Sequence, residues 1–141
     1  MRQILVPVDG SEGAARAARF AAYLASETGA TITLLHVFDA PTATVLGLAS
    51  LTGPAAQEAV ERVAAGSFAS ATAEMGEFDV EVDTRVAVGH PAREIVAFAR
   101  QQHPQLIVMG TRGRSAVEEA LLGSVCAHVL HHAPCPVTVH R

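Results

Sequence analysis

The residues best suited by type and spacing to do chemistry are Gly110, Gly113, Gly123 and Ser124. Met109-Gly-Thr-Arg-Gly-Arg-Ser115 closes an apolar run, and nine residues separate Gly113 from Gly123-Ser124-Val125. Glycine admits positive φ and brings backbone N–H groups to a ligand with no side chain in between, which is how a chain cradles a phosphate. Ser124 can cap a helix beginning at Val125 and offer its hydroxyl to an anion at that positive helix end. Each glycine alone is as well explained by a turn or a helix contact, and Ser115 with Glu118 reads as a capping box. Taken alone, the spacing of the set behind a buried strand suggests a phosphate cradle and no more.

The basic side chains are consistent with this. All 10 are arginine, so a Walker-type loop with its lysine is excluded, and an anion would be held by guanidinium groups, backbone amides or helix ends. The net charge of −4, spread along the chain, leaves no basic stripe for a nucleic-acid backbone. Cys126, His128, His131, His132 and Cys135 are metal-capable, but regular tetrahedral ligand spacing is missing, so no metal site is expected there. His90 precedes Pro91 and suits a helix entry. No nucleophile elbow and no clear acid/base pair stands beside the glycines, which argues against a fast enzyme.

The elements that must carry these residues can be read from apolar periodicity. Strands are expected over 3–8, 31–38, 80–88, 106–109 and 137–139. Helices are expected over 12–28, stopped by Gly29, over roughly 55–75, and over 92–102 with Pro91 in the first turn. Residues 39–54 read as the longest loop, and helical sequence fills the interval between the last two strands. Strands alternating with helices imply one open, mostly parallel sheet with helices on both faces. At 141 residues, half of them hydrophobic, one domain is expected.

In such sheets the ligand crevice lies beyond the carboxyl ends of the strands, where strand order reverses. The residues there are Asp9 and Gly10, Val37 to Asp39, Gly89 and His90, and Gly110 to Gly113. No run is long and apolar enough for a membrane span, no secretory signal opens the chain, and the two cysteines lack CxxC spacing. A cytoplasmic protein with free thiols is the expectation.

Read together, the motifs resemble the ATP-binding branch of the universal stress proteins over nearly the whole chain. The likeness is carried by Ile4-Leu-Val-Pro-Val-Asp-Gly-Ser11, Leu34-Leu-His-Val37, Gly89-His-Pro-Ala92, the glycine set, and His132-Ala-Pro-Cys-Pro-Val137. It implies a Rossmann-like five-stranded parallel sheet in the order 3-2-1-4-5, with ATP across the ends of strands one and four. Carried over by motif, Pro7, Val8 and Asp9 line the adenosine pocket, and Val37 meets adenine through its backbone. Met109, Gly110, Arg112 and Gly113 embrace ribose and phosphates, and Gly123, Ser124 and Val125 close on the phosphate tail. Mg2+ or Mn2+ would enter with the triphosphate.

The resemblance further implies a homodimer paired through Val137, Thr138 and Val139, although His140 stands where an apolar residue is usual. The expected function is a nucleotide-responsive stress or regulatory factor with at most slow ATP hydrolysis. Two alternatives stay open: a nucleotide-independent dimeric interaction module, and an adenylating enzyme on the same fold. No nucleic acid or membrane partner is expected, and the sequence does not identify a protein partner.

Overall fold

The computed structural model describes residues 1–39, 53–111 and 122–141. Along the chain the elements are β1 (Gln3–Pro7), α1 (Glu12–Thr28), β2 (Thr31–Phe38), α2 (Gly53–Met75), β3 (Val82–Val88), α3 (Pro91–Gln102), β4 (Leu106–Gly110), α4 (Ser124–His132) and β5 (Val137–His140). The five strands form one sheet in the order β3-β2-β1-β4-β5, and every neighbouring pair is parallel. The expected fold is therefore the observed one.

β1 lies at the centre, and its Ile4, Leu5 and Val6 are fully buried. A strand covered on both faces has no reason to alternate apolar with polar residues, hence the unbroken apolar run. Successive side chains still point to opposite faces. Ile4, Val6, Ile32, Leu34 and Val108 pack with the alanines of α1 and with Ala71 and Met75 of α2. Leu5, Leu35, Ile107 and Met109 pack with Ile95, Val96 and Ala99 of α3 and with Cys126 and Val129 of α4.

α1 is set by local chemistry at both ends. The Ser11 hydroxyl accepts the Ala14 N–H at 3.2 Å, and Gly29 at φ 67° ends the helix with its N–H on the Ala25 carbonyl. Its fully buried residues are all alanine, with Phe20 and Leu24 packing at the margin, so little bulk separates the centre of the helix from the sheet. α2 begins at Gly53, two residues before the expected Ala55, and buries only a narrow stripe that includes Val60, Ala64, Ala71 and Met75. β3 begins at Val82 rather than Val80, because ladder pairing with β2 starts at Ile32↔Val82.

The two sheet edges differ in chemistry. β3 exposes Asp83, Thr84 and Arg85, with Arg85 and Asp83 ion-paired at 3.7 Å. β5, Val-Thr-Val-His, carries no acidic or arginine side chain and is half-buried throughout. The carbonyls of Pro136 and His140 accept the N–H groups of Ile107 and Thr111. By strand alternation, the peptide groups of Val137 and Val139 point to the open edge.

Candidate functional site

The crevice starts where β1 ends. Val8 donates its N–H to the Leu35 carbonyl at 2.9 Å, and its own carbonyl faces His36 Nδ1 at 2.9 Å. A carbonyl only accepts, so the proton of that bond sits on Nδ1. His36 is buried, with Phe38 edge-on to its ring at 4.5 Å. The ends of β1 and β2 are thus tied by two bonds beyond their ladder. Asp9 follows, half-buried, with Oδ1 accepting the Ser11 N–H at 2.9 Å. Its carboxylate therefore has a place in the turn into α1, as an Asp before Gly-Ser is expected to have.

Gly10 sits at φ 80°, a conformation costly to any residue with a Cβ. A Cβ there would also lie 3.2 Å from the Ser67 hydroxyl of α2. Ser67 therefore borders the crevice, a residue sequence reading missed because nothing in α2 distinguishes it from its exposed neighbour Ser70. Val37, on β2, is half-buried and pairs with Ala87 of β3.

At the end of β4, Met109 is buried and Gly110 approaches α1 closely. A Cβ on Gly110 would lie 2.9 Å from the carbonyl carbon of Gly13 and 3.0 Å from its oxygen. Gly110 is thus required by contact between β4 and the first turn of α1, whatever it offers a ligand. The chain then passes Thr111, whose carbonyl accepts the Gly123 N–H at 2.7 Å. That bond brings the start of α4 to the end of β4.

α4 starts one residue earlier than expected, and the cap assignment changes. Gly123 is the N-cap, extended at φ −68° and ψ 156°, with no side-chain capping bond, and Ser124 is the first helical residue. With Ser124 itself inside the helix, its side chain does not cap. It stands exposed beside first-turn N–H groups that have no intrahelical acceptor. Pro7, Val8, Asp9, Val37, Met109, Gly110, Gly123, Ser124 and Val125 thus lie on adjoining strand ends and the amino end of one helix. Arg112, Gly113, the Ser115–Glu118 capping box and most of the expected loop lie outside the described residues.

The histidine-rich end of α4 lies beyond this crevice. Cys126 and Val129 face the core as expected, and burial pushes the thiols of Cys126 and Cys135 up. His128 is drawn below the ordinary histidine range by desolvation first, then by His132, His90, Arg93 and His131. Among the described residues no three histidines, cysteines or carboxylates converge as a metal site, and no helix is long and apolar enough to cross a membrane.

A five-stranded doubly wound parallel sheet, with a crevice between strand ends and a helix amino terminus, defines the Rossmann-like class of nucleotide-binding fold. Within that class, the chain belongs to the universal stress protein family, whose sequence profile matches residues 1–141. It is 35% identical over 145 residues to universal stress protein MJ0531 of Methanocaldococcus jannaschii, covering 98% of this chain and 81% of that one. Its fold is similar to that of protein MJ0577, with a TM-score of 0.79 and 27% identity over 98% of this chain and 94% of the other. Two further family structures share the fold. One is a universal stress protein in complex with cAMP, with a TM-score of 0.67 and 22% identity over 99% of this chain and 96% of that one. The other, from Archaeoglobus fulgidus, is in complex with dAMP, with a TM-score of 0.70 and 23% identity over 100% and 98%.

Proposed function

We propose that this universal stress protein binds ATP in the crevice and acts as a nucleotide-responsive regulatory factor, with at most slow hydrolysis. The observation that carries the reading is the Gly123 N–H to Thr111 carbonyl bond at 2.7 Å. It sets free helix N–H groups, Ser124 and the end of β4 side by side, the arrangement an anionic phosphate tail requires. Adenine nucleotides in two family structures favour the same ligand class. The nucleoside belongs at Pro7, Val8, Asp9 and Val37, since Asp9 beside phosphates would repel them. Met109, Gly110, Arg112 and Gly113 would hold ribose and phosphates, and Gly123 to Val125 the phosphate tail. Mg2+ or Mn2+ would be held mainly by triphosphate oxygens.

The functional unit in this reading is a homodimer paired along β5 through Val137, Thr138 and Val139. The charged β3 edge discourages such pairing and the uncharged β5 edge invites it. His140 packs its ring 5.4 Å from Phe20, and its buried Nδ1 has no hydrogen-bond partner among the described residues.

The test is calorimetric titration of nucleotide-free protein with ATP and magnesium, beside Ser124→Glu. A carboxylate in the first turn suits the helix dipole and leaves the fold intact, but it meets the phosphate tail with like charge. The expected result is saturable ATP binding, weakened roughly tenfold or more in the variant, with adenosine binding little changed. No binding by folded parent protein at millimolar ATP rejects the reading.

A further inference from the structure

We propose that His36 is a positioning residue for the nucleoside end of the crevice: its imidazole takes the Val8 carbonyl, ends the β1–β2 ladder one rung early and leaves the peptide groups of Val37 turned to the crevice. The part played in ligand binding rests on the nucleotide reading above. The effect on the ladder does not.

His36 and Thr33 are the only buried polar side chains among the described residues. A buried imidazole is costly unless it is hydrogen-bonded. On β2, His36 shares a face with Ile32, Leu34 and Phe38, toward α2. Phe38 stands edge-on to its ring at 4.5 Å and Phe68 of α2 at 6.3 Å. An apolar side chain would serve that packing. Nδ1 serves the Val8 carbonyl, 2.9 Å away.

The strand register shows what this bond does. β1 and β2 pair as far as Pro7↔Leu35, and the Val8 N–H then goes to the Leu35 carbonyl at 2.9 Å. In a parallel ladder the next bond would run from the Val37 N–H back to the Val8 carbonyl. That rung does not form, and the imidazole holds the carbonyl instead. Alternation fixes the rest. Phe38 gives its carbonyl to the Gly89 N–H on the β3 side, so Val37 directs its own N–H and carbonyl the other way, into the space beyond the end of β1. A donor and an acceptor on one residue suit the edge of a purine that presents a ring nitrogen beside an amino group.

The experiment compares the parent with His36→Leu and His36→Asn, each checked for folding by far-UV circular dichroism. Leucine fills the apolar site with no donor, whereas the asparagine amide nitrogen takes the place of Nδ1 and restores the N–H. Two measurements are made on nucleotide-free protein: amide hydrogen exchange at Val37 by NMR, and calorimetric titration with adenosine. With the Val8 carbonyl released, the Val37 N–H is expected to close the missing rung. Its exchange should slow roughly tenfold or more in His36→Leu and stay close to the parent rate in His36→Asn. A merely loosened structure would exchange faster, the opposite sign. Adenosine affinity is expected to fall roughly fivefold or more in His36→Leu, the loss of one hydrogen bond, and to return to within about twofold of the parent in His36→Asn. Val37 exchange no slower in His36→Leu than in the parent overturns the proposal, and so does equal adenosine affinity in the two. Absence of adenosine binding by the folded parent rejects the nucleotide reading; a slowed Val37 amide then still supports the ladder role, and an unchanged one overturns it.

Discussion

Gly110 shows how a residue proposed for the site is required by packing alone. As part of a glycine set it reads as a ligand cradle, yet the backbone of Gly13 occupies the space its Cβ would fill. Gly110→Ala must push β4 from the first turn of α1, and overpacking of this kind costs about 1–3 kcal/mol. The expected outcome is a lower denaturant midpoint with unchanged slope, read by urea unfolding; an unchanged midpoint rejects the contact. The glycine was legible in the sequence, but its reason was not, because Gly13 and Gly110 are far apart along the chain. Ser124 carried the opposite lesson. Its place at a helix start was legible, but capping was assigned to the wrong residue, since one residue of helix boundary decides whether a hydroxyl caps or stands in the first turn.

Among the elements, β5 carries the sharpest expectation. The peptide groups of Val137 and Val139 point away from β4, so a proline at either position removes an edge donor and spares the ladder. Val139→Pro is expected to shift the solution mass from dimer to monomer by light scattering, with circular dichroism unchanged. A folded variant that keeps the dimer mass rejects the edge-pairing reading. The sequence marked β5 as a strand, while the contrast between its uncharged edge and the Asp83–Arg85 pair on β3 emerges only when the sheet order makes both strands edges. α1 was legible to the residue, because Ser11 and Gly29 are local signals that act within one helical turn.

For the whole molecule, the proposed function links ligand binding to folding, because a nucleotide spanning β1, β4 and α4 would bind only the folded chain. At about 100 times its dissociation constant, ATP with magnesium adds about 2.7 kcal/mol. For a domain of this size that raises the unfolding temperature by roughly 10 °C in scanning calorimetry. Ser124→Glu should lose about half of the rise or more at the same ATP concentration; an equal rise in both proteins places the nucleotide away from α4. The sequence alone determined the alternation of strands and helices, the apolar centre of the sheet, the α1 caps and the family-like glycine set. Each of these is written in periodicities and caps spanning a few residues. Only the tertiary structure decided that Thr111 holds Gly123, that Ser67 borders Gly10, that Gly110 abuts Gly13, and that the His36 ring takes the Val8 carbonyl with its proton on Nδ1. Those facts depend on which distant backbones approach within a few ångströms and on how individual rings turn, and no local pattern encodes either.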